Sequence, residues 1–420
     1  MNQKAILVGL NKTTKEIHDY EMKELKELCI ACNIDVEDII TQNANVINPK
    51  TYVHRGKLEE IKIIAETLEV DALVFNDELT ASQISNIQKI IDITVYDRTY
   101  IILEIFKSRA TTKEAILQVD IASLKYMLPR LSGLREGLSR QRGTGGNGAH
   151  GRGAGETKLE LDRRNINDRI SYLNNQLELL KQERALQRKK RKNNNIPVVC
   201  LTGYTNSGKS STLNALMEES TAIKKKVLEK NMLFATLETS SRLVKLNNNH
   251  EFIITDTVGF VSKLPHQLVE AFKSTLEEIT ESDLIIHVID ASNPNYQLQI
   301  DTTNEVLKEI GVENIPVLYV FNKIDLLEDY FYIPPQYLYA LRISAINNKN
   351  IKLLLEMIES VLYKNEAHVL INLPYTKMDI LNSLKNNSNV INIEYQNDYI
   401  LIEAKVSDKM KMEIDEYIQK

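Results

Sequence analysis

The chain has 420 residues, of which 43% are hydrophobic and 26% charged, with a formal net charge of −5 at pH 7. This length exceeds what one hydrophobic core supports, so we expect about three domains, and the acidic balance argues against wholesale non-specific binding to nucleic acid. No run approaches the roughly 18 apolar residues of a membrane span, three cysteines cannot form a disulfide framework, and the N-terminal run is too short for a signal peptide, so we expect a cytoplasmic protein.

Residues 1–108 alternate strand-like and helix-like stretches, which is typical of a small α/β domain with a mostly parallel sheet. The predicted strands are at 5–10, 72–76 and 93–96, and the predicted helices are at 19–32, 56–68 and 80–91. Cys29 and Cys32 form a C-x-x-C at the end of a helical pattern with no second pair. We therefore interpret them as packing residues rather than as a metal or redox site.

Residues 109–192 show a different periodicity, in which apolar residues alternate spacings of four and three. Two segments share it: Leu117, Ile121, Leu124, Leu128 and Leu131 in the first, and Ile166, Ile170, Leu173, Leu177 and Leu180 in the second. Between them, nine of the fifteen glycines of the chain fall in residues 133–155. We predict a long antiparallel helical hairpin with a mobile glycine-rich tip, whose candidate phosphate-binding residues are Arg135, Arg140, Arg142 and Arg152. A plain disordered connector is the alternative interpretation.

Residues 193–365 have the alternating pattern of a doubly wound α/β domain, and they begin with a phosphate-binding motif. The motif G-x-x-x-x-G-K-[ST] is matched at every required position by Gly203, Tyr204, Thr205, Asn206, Ser207, Gly208, Lys209 and Ser210, with Ser211 next in the chain. An apolar strand-like run precedes it and a helical pattern follows, which disfavours a chance glycine-rich turn. Lys209 supplies charge to the phosphates, and the Ser210 hydroxyl can bind Mg²⁺.

Three further motifs select the nucleotide. The first, Asp256, Thr257, Val258 and Gly259, provides a carboxylate that can hold Mg²⁺ through water and a glycine N–H for the γ-phosphate. The second, Asn322, Lys323, Ile324 and Asp325, provides a carboxylate that accepts two hydrogen bonds from guanine, which adenine cannot offer. The third, Ser344, Ala345 and Ile346, can present a backbone N–H to the guanine carbonyl. Four motifs in this order predict a GTP site.

Between the phosphate loop and Asp256 lies a candidate switch segment, Phe234, Ala235, Thr236, Leu237 and Glu238. We predict that Thr236 binds Mg²⁺ only while the γ-phosphate is present, so this segment orders with GTP and relaxes after hydrolysis. Lys209, Thr236 and Gly259 are the candidate catalytic residues. Phe260 follows Gly259, where Ras-like proteins place a glutamine that orients water. Because a phenyl ring cannot do so, we expect slow intrinsic hydrolysis that a macromolecular partner stimulates.

Residues 366–420 predict a small α+β module without identifiable chemistry. The expected order is a strand at 369–373, a helix at 378–384, strands at 390–394 and 399–403, and a helix at 410–418.

These motifs together resemble those of the HflX-type GTPases, a ribosome-associated family, over nearly the whole chain. Matching segments include residues 75–79, 97–99, 117–119, 138–141, 153–164, 234–237, 256–261, 264–266 and 271–278. The chain departs mildly from the family pattern with Ala154 in place of proline and residues 238–241 in place of an Asp-Pro-Thr-Thr run. The long glycine-rich signature at 153–164 is the most specific match.

The resemblance implies binding to the large ribosomal subunit and its rRNA, with the hairpin tip near the peptidyl-transferase region and hydrolysis stimulated by the ribosome. It further implies GTP-linked separation of stalled ribosomes or a role in subunit maturation, and Asn206 matches a position that accompanies potassium use in related GTPases. An assembly factor or rRNA-binding module in which GTP only sets affinity is the alternative. A GTPase that handles another RNA or a membrane-bound partner is a third possibility, and we expect a monomer off the ribosome.

Overall fold

The computed structural model describes residues 2–131, 152–193, 196–220, 240–246 and 250–419. These residues form two compact units. The described residues of the first unit are 2–131, 152–189 and 258–276, and those of the second are 190–193, 196–220, 240–246, 250–257 and 277–419. The segment Val258–Leu276, which the sequence places inside the nucleotide domain, therefore belongs to the N-terminal unit.

The first unit contains a four-stranded parallel sheet with strand order β2-β1-β3-β4. The strands are β1 (Gln3–Asn11), β2 (Ile34–Asn43), β3 (Ala72–Phe75) and β4 (Thr94–Asp97), and the helices are α1 (Lys15–Ala31), α2 (Arg55–Thr67), α3 (Ala81–Ile90) and α4 (Arg98–Arg109). The predicted parallel α/β fold is confirmed. Strand β2 was missed because it lies at the edge of the sheet, where polar residues alternate with apolar ones and only Ile34 and Ile40 are buried.

Two helices of the predicted hairpin are present, α5 (Lys113–Met127) and α6 (Arg152–Asn193). Leu117 and Ile121 of α5 form a buried cluster with Leu173 and Leu177 of α6, as the spacing predicts. Helix α6 begins at Arg152, so residues 152–155 are helical, whereas the sequence placed them in the tip loop. Arg135, Arg140 and Arg142 lie outside the described residues.

The second unit contains a six-stranded sheet with order β10-β9-β8-β5-β7-β6, in which only the β6–β7 pairing is antiparallel. The strands are β5 (Val198–Thr202), β6 (Ser240–Lys245), β7 (Glu251–Asp256), β8 (Leu284–Asp290), β9 (Val317–Asn322) and β10 (Ala340–Arg342). The helices in this part of the chain are α7 (Lys209–Glu219), α8 (His266–Thr280), α9 (Tyr296–Glu309) and α10 (Ile351–Leu362). Parallel strands bring the loops after β5, β7, β8 and β9 to one edge of the sheet.

The C-terminal module follows the predicted order of elements, namely β11 (Ala367–Pro374), α11 (Met378–Asn387), β12 (Asn389–Tyr395), β13 (Tyr399–Val406) and α12 (Asp408–Ile414). Its three strands form an antiparallel sheet with order β11-β13-β12. Across the ranges that the structure describes, no helix is long and apolar enough to span a membrane.

Candidate nucleotide site

The phosphate-binding motif forms the loop between β5 and α7, and two of its glycines have conformations that exclude a side chain. Gly203 has φ +139°, and a Cβ there would lie 2.2 Å from the carbonyl oxygen of Val288. Gly208 has φ +92°, and a Cβ there would lie 2.2 Å from Nδ2 of Asn322. These left-handed positions let the loop approach its neighbours closely at the N-terminus of α7, and the N-terminus of a helix favours an anion.

Lys209, the first residue of α7, is held inside this loop. Its Nζ donates to the carbonyl oxygens of Gly203 at 3.1 Å and Tyr204 at 2.8 Å, and the residue is 6% exposed. Burial lowers the pKa of Lys209 to about 8, with Asp256 acting to raise it and Lys323 to lower it. A desolvated cation in this position attracts phosphate oxygens more strongly than an ammonium group in water.

Ser210 and Asp256 bring together oxygen ligands of the kind that Mg²⁺ prefers. The Ser210 hydroxyl donates to Oδ2 of the buried Asp256 at 2.7 Å, so both groups converge at the end of β7. Thr205 Oγ1 and Ser207 Oγ are buried in the same loop and have no hydrogen-bond partner among the described residues. These hydroxyls fit a loop that receives a polar ligand, and the pair of Ser210 and Asp256 fits Mg²⁺.

Asn322 joins the phosphate loop to the loop after β10. Its Nδ2 donates to the carbonyl oxygen of Ser207 at 3.0 Å, and its Oδ1 accepts from the N–H of Ala345 at 3.0 Å. This side chain is 2% exposed, so water competes little for either bond. One amide therefore fixes the distance between the candidate phosphate-binding and base-binding parts of the site.

Asp325 is the candidate base-binding carboxylate and is oriented by Ser344. The Ser344 hydroxyl donates to Oδ1 of Asp325 at 2.5 Å, and Ser344 is buried while Asp325 is exposed. Ile346 is 72% exposed, and Ile324 begins a 3-10 turn, Ile324–Leu326. The sequence predicted the Ser344-Ala345 pair for its backbone N–H but missed the hydroxyl that orients the carboxylate.

The sequence also missed Asp290, which ends β8 beside Asn322 in the parallel register. Lys323 has φ +64°, and its Nζ bonds Oδ2 of Asp290 at 2.7 Å, which holds the guanine motif in its strained turn. The sequence could have indicated Asp290, because an acidic residue at the end of an apolar strand lies at the edge of a parallel sheet where ligands bind.

The remaining predicted residues are dispersed. Thr257 donates from Oγ1 to the carbonyl oxygen of Leu201 at 2.6 Å, which fixes the end of β7 beside β5. Val258 and Gly259 belong to the first unit, as does Phe260, which is 1% exposed. Asn206 is exposed with φ +59°, and Ser211 lies on α7. Phe234, Ala235, Thr236, Leu237 and Glu238 lie outside the described residues.

Within the described ranges, no group of three or more histidine, cysteine, aspartate or glutamate side chains could hold a metal ion. Burial raises the pKa of the Cys32 thiol to about 12, with Glu104 acting in the same direction, and Cys29 is fully buried. Neither thiol is poised to ionise near neutral pH, which supports their interpretation as packing residues.

Comparison with known proteins adds three family models, described as GTP-binding GTPase N-terminal, GTP-binding GTPase middle region and 50S ribosome-binding GTPase, which match residues 19–107, 109–191 and 198–323. GTPase HflX of Caldanaerobacter subterraneus subsp. tengcongensis is 42% identical over 416 residues, covering 99% of this chain and 94% of its own. GTPase HflX of Escherichia coli K12 is 37% identical over 329 residues, covering 78% and 74%. A GTP-binding protein from Sulfolobus solfataricus, solved with GDP, is 27% identical with a TM-score of 0.44, covering 86% of this chain and 99% of that one.

Proposed function

The chain belongs to the HflX family of GTPases, and on that basis we propose that it is a GTP hydrolase that acts as a ribosome-binding switch and separates stalled ribosomes. The observation that supports the hydrolase most directly is the preassembled site in which Asn322 connects the phosphate loop to the guanine motif. The 50S ribosome-binding GTPase model over residues 198–323 supports the choice of partner, which would place the protein in the cytoplasm.

In the proposed reaction, backbone N–H groups of residues 203–211 bind the phosphates and the Lys209 ammonium neutralises charge that develops as the γ-phosphate leaves. Ser210, Thr236 and, through water, Asp256 would hold Mg²⁺, which would offset the negative charge of the phosphates. The Gly259 N–H positions the γ-phosphate, and Asp325, oriented by Ser344, accepts from the guanine N–H groups. Phe260 offers no group that can orient water, so we expect slow hydrolysis without the ribosome.

The test of this function compares GTP turnover with and without purified large subunits, using Na⁺ or K⁺ as the monovalent cation. We expect stimulation by the subunits and faster stimulated turnover in K⁺, because Asn206 matches the position that accompanies potassium use. Equal rates with and without subunits would refute the proposed partner, and equal stimulated rates in the two salts would refute the role of potassium.

Sedimentation of intact ribosomes distinguishes separation from assembly. With protein and GTP, we expect the intact particles to divide into subunits, whereas unchanged particles would favour an assembly factor that uses GTP only to set affinity.

The proposed rRNA contacts of the hairpin tip are tested by charge removal. Replacing Arg135, Arg140 and Arg142 by glutamine should weaken association with the large subunit while sparing GTP binding, because phosphate contacts supply much of the affinity for RNA. A matched control replaces the exposed Arg55, Lys62 and Lys107 of the first unit by glutamine. Equal association of both triple variants would contradict the assignment of the tip.

A further inference from the structure

In the sheet of the first unit, the C-terminal ends of the parallel strands form an edge, here called the carboxyl edge. It is lined by polar residues, and the proposed function gives it no role. In open parallel sheets, ligands bind beyond the carboxyl ends of the strands, at the point where the strand order reverses. Here the chain passes from β1 to β2 on one side and then to β3 on the other, so the reversal lies between β1 and β3. Asn76 and Asp77 follow β3 at this edge, and Arg98 follows β4.

Ser262 of the segment Val258–Leu276 is bound at this edge by a buried arginine. Arg98 donates from Nε to the carbonyl oxygen of Ser262 at 3.2 Å and from Nη2 to its hydroxyl oxygen at 2.8 Å. The Ser262 hydroxyl in turn donates to Glu24 of α1, which also pairs with Arg98. Nη1 of Arg98 donates to Oδ1 of Asn76 at 3.0 Å. Arg98 is 1% exposed, so these bonds form away from water.

Lys263, the next residue, fits between two carboxylates of the same edge. Its Nζ bonds Glu21 at 2.6 Å and Asp77 at 2.9 Å, and Asp77 also bonds Lys12 at 3.1 Å and the hydroxyl of Tyr52 at 2.6 Å. Lys263 has φ +53°, a conformation that non-glycine residues seldom adopt without compensating contacts.

The charges at this edge balance only while the segment is in place. Arg98, Lys12 and Lys263 oppose Glu21, Glu24 and Asp77. Withdrawal of Ser262 and Lys263 would leave an excess of negative charge and an Arg98–Glu24 pair without its hydroxyl partner. Leaving buried charge uncompensated is costly, so the segment and the edge stabilise each other.

We propose that the carboxyl edge of the N-terminal sheet is a binding site whose ligand is the Ser262-Lys263 segment of the same chain, and that through it the first unit responds to the bound nucleotide. This inference rests on the proposed GTPase function, because Gly259, the candidate γ-phosphate contact, lies three residues before Ser262. If this segment moves to contact the γ-phosphate, the positions of the Ser262 hydroxyl and the Lys263 ammonium at the edge change. Coupling between binding sites is reciprocal, so the occupied edge also shifts the relative affinity for GTP and GDP.

The test uses a double variant, Ser262→Ala with Lys263→Asn. Alanine removes the hydroxyl, and asparagine removes the ammonium while tolerating the positive φ. Arg98 is left intact because removing a buried charge can unfold the unit. The control double variant, Ser171→Ala with Lys57→Asn, makes the same chemical changes at an exposed hydroxyl of α6 and at a lysine of α2 that pairs with Glu60.

Amide hydrogen exchange is measured over residues 16–26 and 76–79 with GDP and with a non-hydrolysable GTP analogue. In the unmodified protein and the control, we expect exchange to differ between the two nucleotides. In the test variant, we expect that difference to disappear and the ratio of GTP-analogue to GDP affinity to change about fivefold, with GDP still bound.

Identical exchange with both nucleotides in the unmodified protein would overturn the inference, as would a test variant that keeps the difference and the affinity ratio. GTP turnover of the unmodified protein with large subunits is measured in parallel. Normal stimulated turnover without the exchange difference refutes the binding site and leaves the proposed function standing, whereas absence of turnover refutes the proposed function itself.

Discussion

The sheets of the first and second units, both built mainly of parallel strands, show how such sheets produce two kinds of edge. In the second unit, Gly203 and Gly208 remove side chains where the loop after β5 folds closely against its neighbours, and backbone groups are left to bind phosphate. In the first unit, the space beside Gly9 of β1 is filled by α1, since a Cβ there would lie 2.5 Å from Sδ of Met22 and 2.7 Å from Cε1 of His18. The fold sets where a ligand can bind, and the residues at the edge decide what binds there.

The two edges also differ in how their charges are neutralised. Among the described residues, Lys209 in the second unit donates to two backbone carbonyl oxygens and to no carboxylate, so its charge is not matched there by an acidic partner. Lys263 in the first unit bonds two carboxylates, so its charge is matched within the protein. We therefore expect a chemically identical group to contact an external ligand at one edge and residues of the same chain at the other.

The largest effect on turnover that we expect from removing one charged side chain comes from Lys209→Ala. Loss of the ammonium should reduce stimulated GTP turnover by at least ~100-fold, the scale of removing one group that stabilises developing charge. Phosphate release with large subunits measures it, and Lys352→Ala, at an exposed lysine of α10, serves as the control. Turnover within a few fold of that of the unmodified protein would show that the Lys209 ammonium, contrary to our expectation from its contrast with Lys263, does not act on the nucleotide.

Asp325→Asn should change the preferred base. The new amide replaces an acceptor by a donor, so affinity for GTP should fall roughly 10²- to 10⁴-fold. Affinity for xanthosine triphosphate, which has a carbonyl in place of the guanine amino group, should rise. Competition binding measures both, with Asp329→Asn at an exposed carboxylate as the control. An unchanged preference would show that Asp325 does not contact the base.

A matched set of glycine substitutions compares the edges directly. Gly208→Ala should abolish nucleotide binding, because φ +92° is unfavourable to alanine and its Cβ would strike Asn322. Gly9→Ala should lower the free energy of unfolding of the first unit by about 1–3 kcal/mol and leave nucleotide affinity unchanged, since it overpacks Met22 and His18. Gly56→Ala in α2, where a Cβ would meet nothing within 4 Å, is the control. Nucleotide titration and urea unfolding separate the outcomes, and loss of nucleotide binding in Gly9→Ala would contradict the comparison.

The smallest expected effect concerns acid stability. Burial raises the pKa of Asp77, but Lys263, the hydrogen bond from Tyr52, and Lys12 outweigh it, so the pKa lies below its ordinary value. A carboxyl with a lowered pKa in the folded protein contributes stability above its unfolded pKa and loses it as the pH falls through the folded value. Lys263→Asn should therefore destabilise the first unit by about 1 kcal/mol at pH 7 and by less below about pH 4. Urea unfolding at both pH values measures it, and an equal loss at both would contradict the ion pair.

The candidate nucleotide site could be proposed from the sequence because its motifs are short and contiguous. Gly203 to Ser210 and Asn322 to Asp325 each combine a turn after a strand with candidate ligands within eight residues or fewer. The bonds that hold the site together, from Asn322 to Ser207 and to Ala345, join distant positions and leave no local pattern. The binding of Ser262 by Arg98 was invisible for the same reason, as 164 positions separate them.

Secondary structure was predictable where periodicity was strong and failed for two polar strands at sheet edges. Strands β2 and β6 were both missed, because each lies at an edge where one side of the strand faces solvent and polar residues interrupt the apolar pattern. The seam of Leu117, Ile121, Leu173 and Leu177 was predicted correctly, since helical spacing repeats over several turns.

The amide of Asn322 has a kinetic consequence. Because it holds the loop after β5 and the loop after β10 at a fixed distance through the protein's own bonds, little rearrangement of these two loops is left for an arriving nucleotide to drive. Association should then proceed at a rate set by encounter, and the lifetime of each bound nucleotide should be set by its own dissociation. The time for which the protein remains in the GDP-bound state becomes a property of the departing ligand.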